Sequence, residues 1–280
     1  MHLWQQAVQI RQAALNSGAL LSLPATSLAL TEHGLNWVVR ILQTLKLKET
    51  PADTNSIRSN PFLPPEPALT VTKIGNSHLC VLNKYNVFDL HLLLVTPTFV
   101  PQSQALDLAD FSALFACLQQ QEALAFYNSG PIAGASQPHK HLQLVALSDS
   151  NTLPFAPQLT ALNDQVPRQL KNLPFTHAAV ALPTELFNMS VSEAGQQLLQ
   201  LYDRLRMTLG IEVSENAIEK PYNLLLTRQW LMLVPRQRES VMGISFNALA
   251  FTGSLLVQDR TQVKQLQDAG LASTLQLISG

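Results

Sequence analysis

Residues 126–145 read Phe126-Tyr127-Asn128-Ser129-Gly130-Pro131-Ile132-Ala133-Gly134-Ala135-Ser136-Gln137-Pro138-His139-Lys140-His141-Leu142-Gln143-Leu144-Val145. Side chains of an extended strand point alternately to its two faces. An extended 139–145 therefore puts His139, His141 and Gln143 on one face, and Leu142, Leu144 and Ala146 on the other, toward a core. Lys140 joins the opposite face unless the strand begins after it. The preceding residues, 129–138, are mostly small and include two glycines. A ligand can approach such a backbone closely, and several N–H groups can converge there as an anion nest.

Outward from this stretch, short strands come in runs with helices between the runs, and regular strand–helix alternation is absent. Residues 3–16 have Leu3, Ala7, Ile10 and Ala14 at helical spacing, closed by Asn16-Ser17-Gly18. A second helix is expected at 33–46. Residues 49–67 carry proline, serine and asparagine without a period and predict a loop or extended arm. Strands are expected at 69–75, 78–84, 90–95, 123–128 and 141–147. A helix runs from the Asp107 cap to Gln121 with Phe111, Leu114, Phe115 and Leu118 on one face. Residues 148–172 read as a loop. A strand near 175–182, a helix at 192–208 capped by Ser192, strands at 222–228 and 230–235, and a short helical piece after Asp259 complete the chain. Strands in runs, with helices between the runs, predict an α+β fold on a mostly antiparallel sheet with flanking helices.

Composition excludes several classes. The 280 residues contain 18 Lys plus Arg against 19 Asp plus Glu, a net charge of −1, and only 13% are charged. A chain so near neutral lacks the basic field of a general nucleic-acid binder. Any site for a polyanion must be local, built from one or two cations, backbone N–H groups and neutral polar side chains. No apolar run is long enough for a transmembrane helix, and the first residues lack the apolar core of a signal peptide. A cytoplasmic protein with neither nucleic-acid nor membrane partners is expected. Cys80 and Cys117 read as buried free thiols in a reducing compartment.

The P-loop, the dinucleotide fingerprint, HExxH, GxSxG and paired CxxC motifs are all absent. What is present suits nucleophilic chemistry at phosphorus. A neutral imidazole is nucleophilic near pH 7, and Ser136, Gln137 and Gln143 can hydrogen-bond phosphate oxygens without adding charge. A glutamine cannot protonate a leaving group, so it positions. On spacing alone two other readings stay open: a pair of structural histidines, or two ligands of Zn²⁺ or Cu²⁺, although no third ligand lies nearby.

The stretch YNSGPIAGASQPHKHLQL resembles the signature of the histidine-triad superfamily. More narrowly, it resembles the diadenosine-tetraphosphate phosphorylases (ATP adenylyltransferases), with their His-x-His-x-Gln motif. Asn60–Pro67, Val81–Tyr85 and His91–Thr96 are similar to the N-terminal half of that family. Tyr222–Thr227, Trp230–Arg236 and Asn247–Ser254 are similar to its C-terminal half. The resemblance spans roughly residues 55–257. It implies a histidine-triad-like fold in a single compact unit, with an N-terminal half (1–150) carrying the motif and a C-terminal half (170–280) completing the same fold and site.

The resemblance further implies a reversible phosphorolysis of diadenosine tetraphosphate by phosphate to ATP and ADP. His141 would be the adenylylated nucleophile, His139 its orienter or a phosphate ligand, and Gln143 a ligand of the α-phosphate. Glutamine stands where the histidine-triad hydrolases carry a third histidine, which favours transfer over hydrolysis. Asn128 would position nucleotide or nucleophile. Gly134, Ala135, Ser136 and Gln137 would form the phosphate loop. Asn83 and Lys84 would contact substrate, and Asn247 and Gly253 would close the site. Lys220 and Arg236 read as solvated charges. No tightly bound cofactor or protein metal site is expected, and Mg²⁺ would arrive on the substrate polyphosphate. A hexose-1-phosphate uridylyltransferase-like enzyme, or a dinucleotide-sensing binding module without turnover, are the alternatives. Lys140 in place of a proline between the histidines argues against the first, and an intact His141 against the second.

Overall fold

The computed structural model describes residues 2–43, 60–148, 151–214, 217–218 and 220–280. Helix α1 (Leu3–Ser17) precedes a hairpin of β1 (Ala25–Glu32) and β2 (Leu35–Leu42). His33 and Gly34, at φ 50° and 76°, make its two-residue turn, a geometry whose twist matches that of the paired strands. The helix expected at 33–46 is therefore a strand as far as Leu42, and residues 44–46 lie outside the described residues. Leu35, Trp37 and Val39 alternate inward with a period of two. Trp37 and the β-branched Val38, Val39 and Ile41 suit a pleated surface better than a helix. Of the proline-rich stretch, residues 49–59 lie outside the described residues.

The main sheet comprises β3 (Thr70–Ile74), β4 (His78–Leu82), β5 (His91–Val95), β6 (Ala123–Asn128), β7 (His141–Ala146), β8 (Ala178–Ala181), β9 (Tyr222–Leu226) and β10 (Trp230–Pro235). Their order is β8-β10-β9-β6-β7-β5-β4-β3, with every neighbouring pair antiparallel. The N-terminal and C-terminal sequence halves meet where β6 pairs β9, through Asn128 and Asn223 at one end. One sheet thus runs through both halves.

Three helices cover one face: α1, α2 (Leu108–Leu118) and α3 (Val191–Leu209). Phe111, Leu114, Phe115, Leu198 and Leu205 from them are buried against Leu92, Leu94, Leu142 and Leu144 of the sheet. Asp107 caps α2 as the sequence predicts, and the helix stops at Leu118, short of Gln121. The cap of α3 is Ser190 rather than Ser192, because Ser190 and Glu193 exchange side chain-to-backbone bonds in a capping box. Cys80 and Cys117 are buried on this face, and burial pushes the Cys117 thiol up to about 12, so it stays protonated and inert.

The opposite face packs on the β1–β2 hairpin, on β11 (Ser254–Val257), which runs parallel to β2, and on helices α4 (Arg260–Ala269) and α5 (Leu271–Ile278). Helical structure after Asp259 therefore extends to Ile278. Leu124, Phe126, Val145 and Leu225 meet Trp37, Phe155, Phe246 and Phe251 there. This second layer stops short of the β7 end that bears the motif, and a cleft opens in the gap.

Candidate active site

Strand β7 begins at His141, so His139 and Lys140 precede it. His139 is bridged to Pro101 instead. His141 and Gln143 nevertheless line the cleft, His139 packs beside them against Phe62, and Lys140 turns through the sheet. There its ammonium bonds the Asp110 carboxylate and the Ala105 carbonyl, and His78 Nε2 holds the other Asp110 oxygen at 3.0 Å. Burial by itself would raise the Asp110 carboxyl, but the His78 hydrogen bond and the Lys140 charge outweigh it and hold Asp110 below its usual value. This buried cluster pins the backbone between the two histidines.

The His141 ring is held in one tautomer. Its Nδ1–H donates to the His139 carbonyl at 2.8 Å, which leaves the Nε2 lone pair without a hydrogen-bond partner among the described residues. Phe62 lies against the ring with centroids 5.6 Å apart. Burial lowers the His141 pKa to about 4, so the imidazole is neutral at pH 7. His139 is enclosed: Asn60 Nδ2–H donates to its Nδ1 at 2.9 Å, and its Nε2–H faces Thr96 Oγ1 and carbonyl at 2.8 and 3.0 Å. Both of its nitrogens are taken by protein, so the geometry suits orienting His141 and leaves no ring nitrogen for phosphate.

Gln143 is oriented by a residue the sequence reading left without a role. His91 Nε2–H donates to Gln143 Oε1 at 2.8 Å, and Asn83 Nδ2–H donates to His91 Nδ1 at 3.1 Å. Burial lowers His91 to about 4 as well. With its oxygen occupied, Gln143 offers its NH₂ as the group free for an anion. The local signal was a lone histidine opening the apolar strand His91–Val95.

Two lobes meet at Asn83, Tyr85, Ser136 and Gln143. The first, of about 230 Å³, is lined by Phe62, Val81, Leu93, Lys84, Gln137 and His141. The second, of about 360 Å³, includes Arg40, Phe88, His91, Asn247 and Gln258. Lys84 pairs with Glu66 at 2.9 Å at the edge of the first lobe, and that hydrogen bond raises its pKa. Arg40 stands over the Phe88 ring and bonds Ser254 and Asn151. Among the described residues these are the cations lining the two lobes, so neutral donors predominate, as the low charge content predicts.

The remaining sequence-predicted residues divide by position. Ser136 and Gln137 line the cleft. Gly134 and Ala135 support it from behind. At Gly134, φ is 89° and a Cβ would sit 2.5 Å from the Phe246 carbonyl oxygen and 2.9 Å from Asn247 Cα, so glycine alone lets this loop lie against the C-terminal segment. Asn247 lines the second lobe and caps the turn that follows by accepting from the Leu249 N–H. Asn128 is buried, its Oδ1 accepting from Asn223 Nδ2 and the Ala248 N–H. Gly253 lines neither lobe; a Cβ there would meet Phe155 and Pro154 at 2.8 Å.

Lys220 is exposed, but Arg236 is buried rather than solvated. Its guanidinium bonds the carbonyls of Ala133, Arg238, Glu239, Phe246 and Ile278 and the Asn223 side chain. Burial lowers its pKa to about 10, so it keeps its charge at pH 7. It ties the loop ahead of the histidines to the C-terminal segment and places a positive charge behind that loop. Six acceptors, from the adjacent Arg238 and Glu239 to Ala133, 103 positions away, compensate its desolvation, and the distant ones leave no local pattern.

Two known families match the chain, one after the other. The family described as the Ap4A phosphorylase N-terminal domain matches residues 1–162, and the ATP adenylyltransferase C-terminal domain matches residues 171–279. The chain belongs to the Ap4A phosphorylase family. Diadenosine 5',5'''-P1,P4-tetraphosphate phosphorylase 2 of Saccharomyces cerevisiae is 28% identical over 241 residues, 77% of this chain and 74% of that protein. Protein APA1 of the same yeast is 28% identical over 222 residues, 71% and 69% of the two chains. The crystal structure of yeast Ap4A phosphorylase Apa2 superposes with a TM-score of 0.83 at 26% identity, covering 100% of this chain and 95% of that one. The fold expected from the sequence, α+β and histidine-triad-like, is that of this family.

Proposed function

We propose that the protein is a nucleotidyltransferase that carries out phosphorolysis of diadenosine tetraphosphate to ATP and ADP through an adenylyl-histidine. The observation that carries this reading is His141: neutral, locked through Nδ1, with Nε2 free in the first lobe, two residues from the Gln143 at which the lobes meet. The family supports the substrate class, and yeast Apa2 has been crystallised in complex with AMP and in complex with Ap4A.

His141 Nε2 attacks the α-phosphorus, the bond from that phosphorus to the bridging oxygen breaks, and ATP leaves with the electron pair. A polyphosphate leaving group is already a stable anion, so no acid is needed at position 143, and a carboxamide suffices. The Nδ1–H of the phosphorylated ring stays bonded to the His139 carbonyl, which stabilises its positive charge. Inorganic phosphate then attacks the same phosphorus, ADP forms, and His141 is released neutral. Exchange of one phosphoanhydride for another makes the sequence reversible. The covalent intermediate splits one difficult displacement into two. Gln143, Ser136, Gln137 and the loop N–H groups stabilise the equatorial oxygens as fixed neutral donors.

The first lobe, which contains His141, takes the adenylyl half, with Phe62, Val81 and Leu93 as an apolar wall for the base. The second takes the departing half, with Arg40 as its cation. Mg²⁺ would enter bound to the substrate polyphosphate; among the described residues no cluster of three His, Cys, Asp or Glu is arranged to hold a metal ion. Among the described residues no helix is long and apolar enough to cross a membrane. The near-neutral charge and the site for small nucleotides fit a cytoplasmic enzyme. Mixing the protein with diadenosine tetraphosphate and labelled phosphate should place label in ADP. Omitting phosphate should leave an AMP adduct mapped to His141. If label never enters ADP, or His141→Ala keeps full rate, the reading is wrong.

A further inference from the structure

Strands β6 and β7 pair from Ala123 and Ala146 as far as Phe126 and Gln143. Beyond that point they part. Tyr127 and Asn128 continue along β9 alone, and the ladder ends two residues short of His141. β5 still pairs β7 through Val95 and His141, but on the β6 side no strand remains, and an N–H and C=O left unpaired on that side would be exposed and prone to fray. At His141 one side chain takes both groups. Gln102 Oε1 accepts the His141 N–H at 2.8 Å, and Gln102 Nε2 donates to the His141 carbonyl at 3.3 Å and to the Asn128 carbonyl at 2.7 Å. A carboxamide carries the same donor and acceptor as a peptide unit, so Gln102 stands in for the missing strand. It is itself fixed: its N–H donates to the Pro138 carbonyl at 2.8 Å, its carbonyl accepts from the Tyr127 hydroxyl, and it is buried.

We propose that Gln102 is a positioning residue for the nucleophile. The inference rests on the reading of His141 as the adenylyl acceptor. The bond from Nδ1 to the His139 carbonyl fixes the ring relative to the backbone of β7, and Gln102 fixes that backbone relative to β6. Together the two constraints set where Nε2 stands. Gln102 lines neither lobe, so its action is through His141. A displacement of about 1 Å at a reacting atom costs about 10²-fold in rate.

Gln102→Met keeps the volume and removes all three carboxamide bonds. In a single turnover with diadenosine tetraphosphate and no phosphate, the rate of adduct formation at His141 should fall about 30- to 100-fold. The AMP dissociation constant, read by calorimetry, should change less than about three-fold, because the lobe that holds AMP is untouched. The His141 amide should exchange with solvent deuterium faster than in the wild type. Should the methionine variant not fold, Gln102→Asn, whose carboxamide is one methylene short, should show the same split to a smaller degree. An adduct rate within about three-fold of wild type in a folded variant overturns the proposal, as does a loss of rate matched by an equal loss of AMP affinity. Wild-type protein that forms no adduct refutes the nucleophile assignment instead.

Discussion

Lowering the pH should destabilise this protein well before its carboxylates titrate, and the cleft histidines supply the magnitude. His91 and His141 have pKa values of about 4 in the folded state, against about 6.5 for an exposed imidazole. Between those values the unfolded chain binds more protons than the native one, so stability rises with pH and is lost as pH falls from 6.5 toward 4. At pH 5 each imidazole withdraws about 2 kcal/mol relative to pH 7.5, and the pair about 4 kcal/mol, a large part of an ordinary domain's stability of about 5–15 kcal/mol. Urea unfolding can be followed through the buried Trp4, Trp37 and Trp230. The wild type should lose that much between pH 7.5 and 5, and a His91→Gln, His141→Asn double variant should lose about 4 kcal/mol less. His139 and His177 are also lowered, chiefly by burial, and leave a residual slope of the same sign in both proteins. Equal slopes in the two proteins would refute the reasoning. The same neutrality should appear in kinetics. A pKa of about 4 leaves more than about nine-tenths of His141 unprotonated at pH 5.5, where an ordinary imidazole would leave about one-tenth. Adduct formation should therefore stay nearly flat from pH 7.5 to 5.5.

Three substitutions test other parts of the site. His91→Phe removes the donor that orients Gln143, and kcat should fall about 10- to 100-fold while AMP binding stays within a few-fold; an unchanged kcat would mean that Gln143 needs no such orientation. Asp110→Asn leaves the buried Lys140 ammonium without its counter-charge and should cost about 3–5 kcal/mol in urea unfolding, which Lys140→Met in the same chain should partly restore. Arg40→Gln should raise KM for the dinucleotide several-fold while leaving AMP affinity unchanged, since Arg40 lines only the second lobe. A matching loss of AMP affinity would contradict the division of the cleft into two halves.

Strand periodicity and residue type, read along the chain, already put His141 and Gln143 on one face of β7, Leu142 and Leu144 on the other, and small residues in the loop before them. These features depend on neighbours in sequence, and a period of two survives folding unchanged. The expected helix at 33–46 is the strand β2 instead, because Leu35, Trp37 and Val39 alternate with a period of two, which a helix would scatter around its axis. What tertiary structure decided is how those side chains are held. Gln102 reaches His141 across 39 positions, His91 reaches Gln143 across 52, and Arg236 reaches Ala133 across 103. A hydrogen bond between residues so far apart leaves no period and no local composition behind it. An arginine isolated in sequence is usually solvated, and Arg236 is buried only because the loop at Ala133 and the C-terminal segment close around it. The chain's chemistry was legible in one strand and its loop. The tautomer of His141, the orientation of Gln143 and the low pKa values exist only once the sheet, the hairpin and the C-terminal segment exclude water around them.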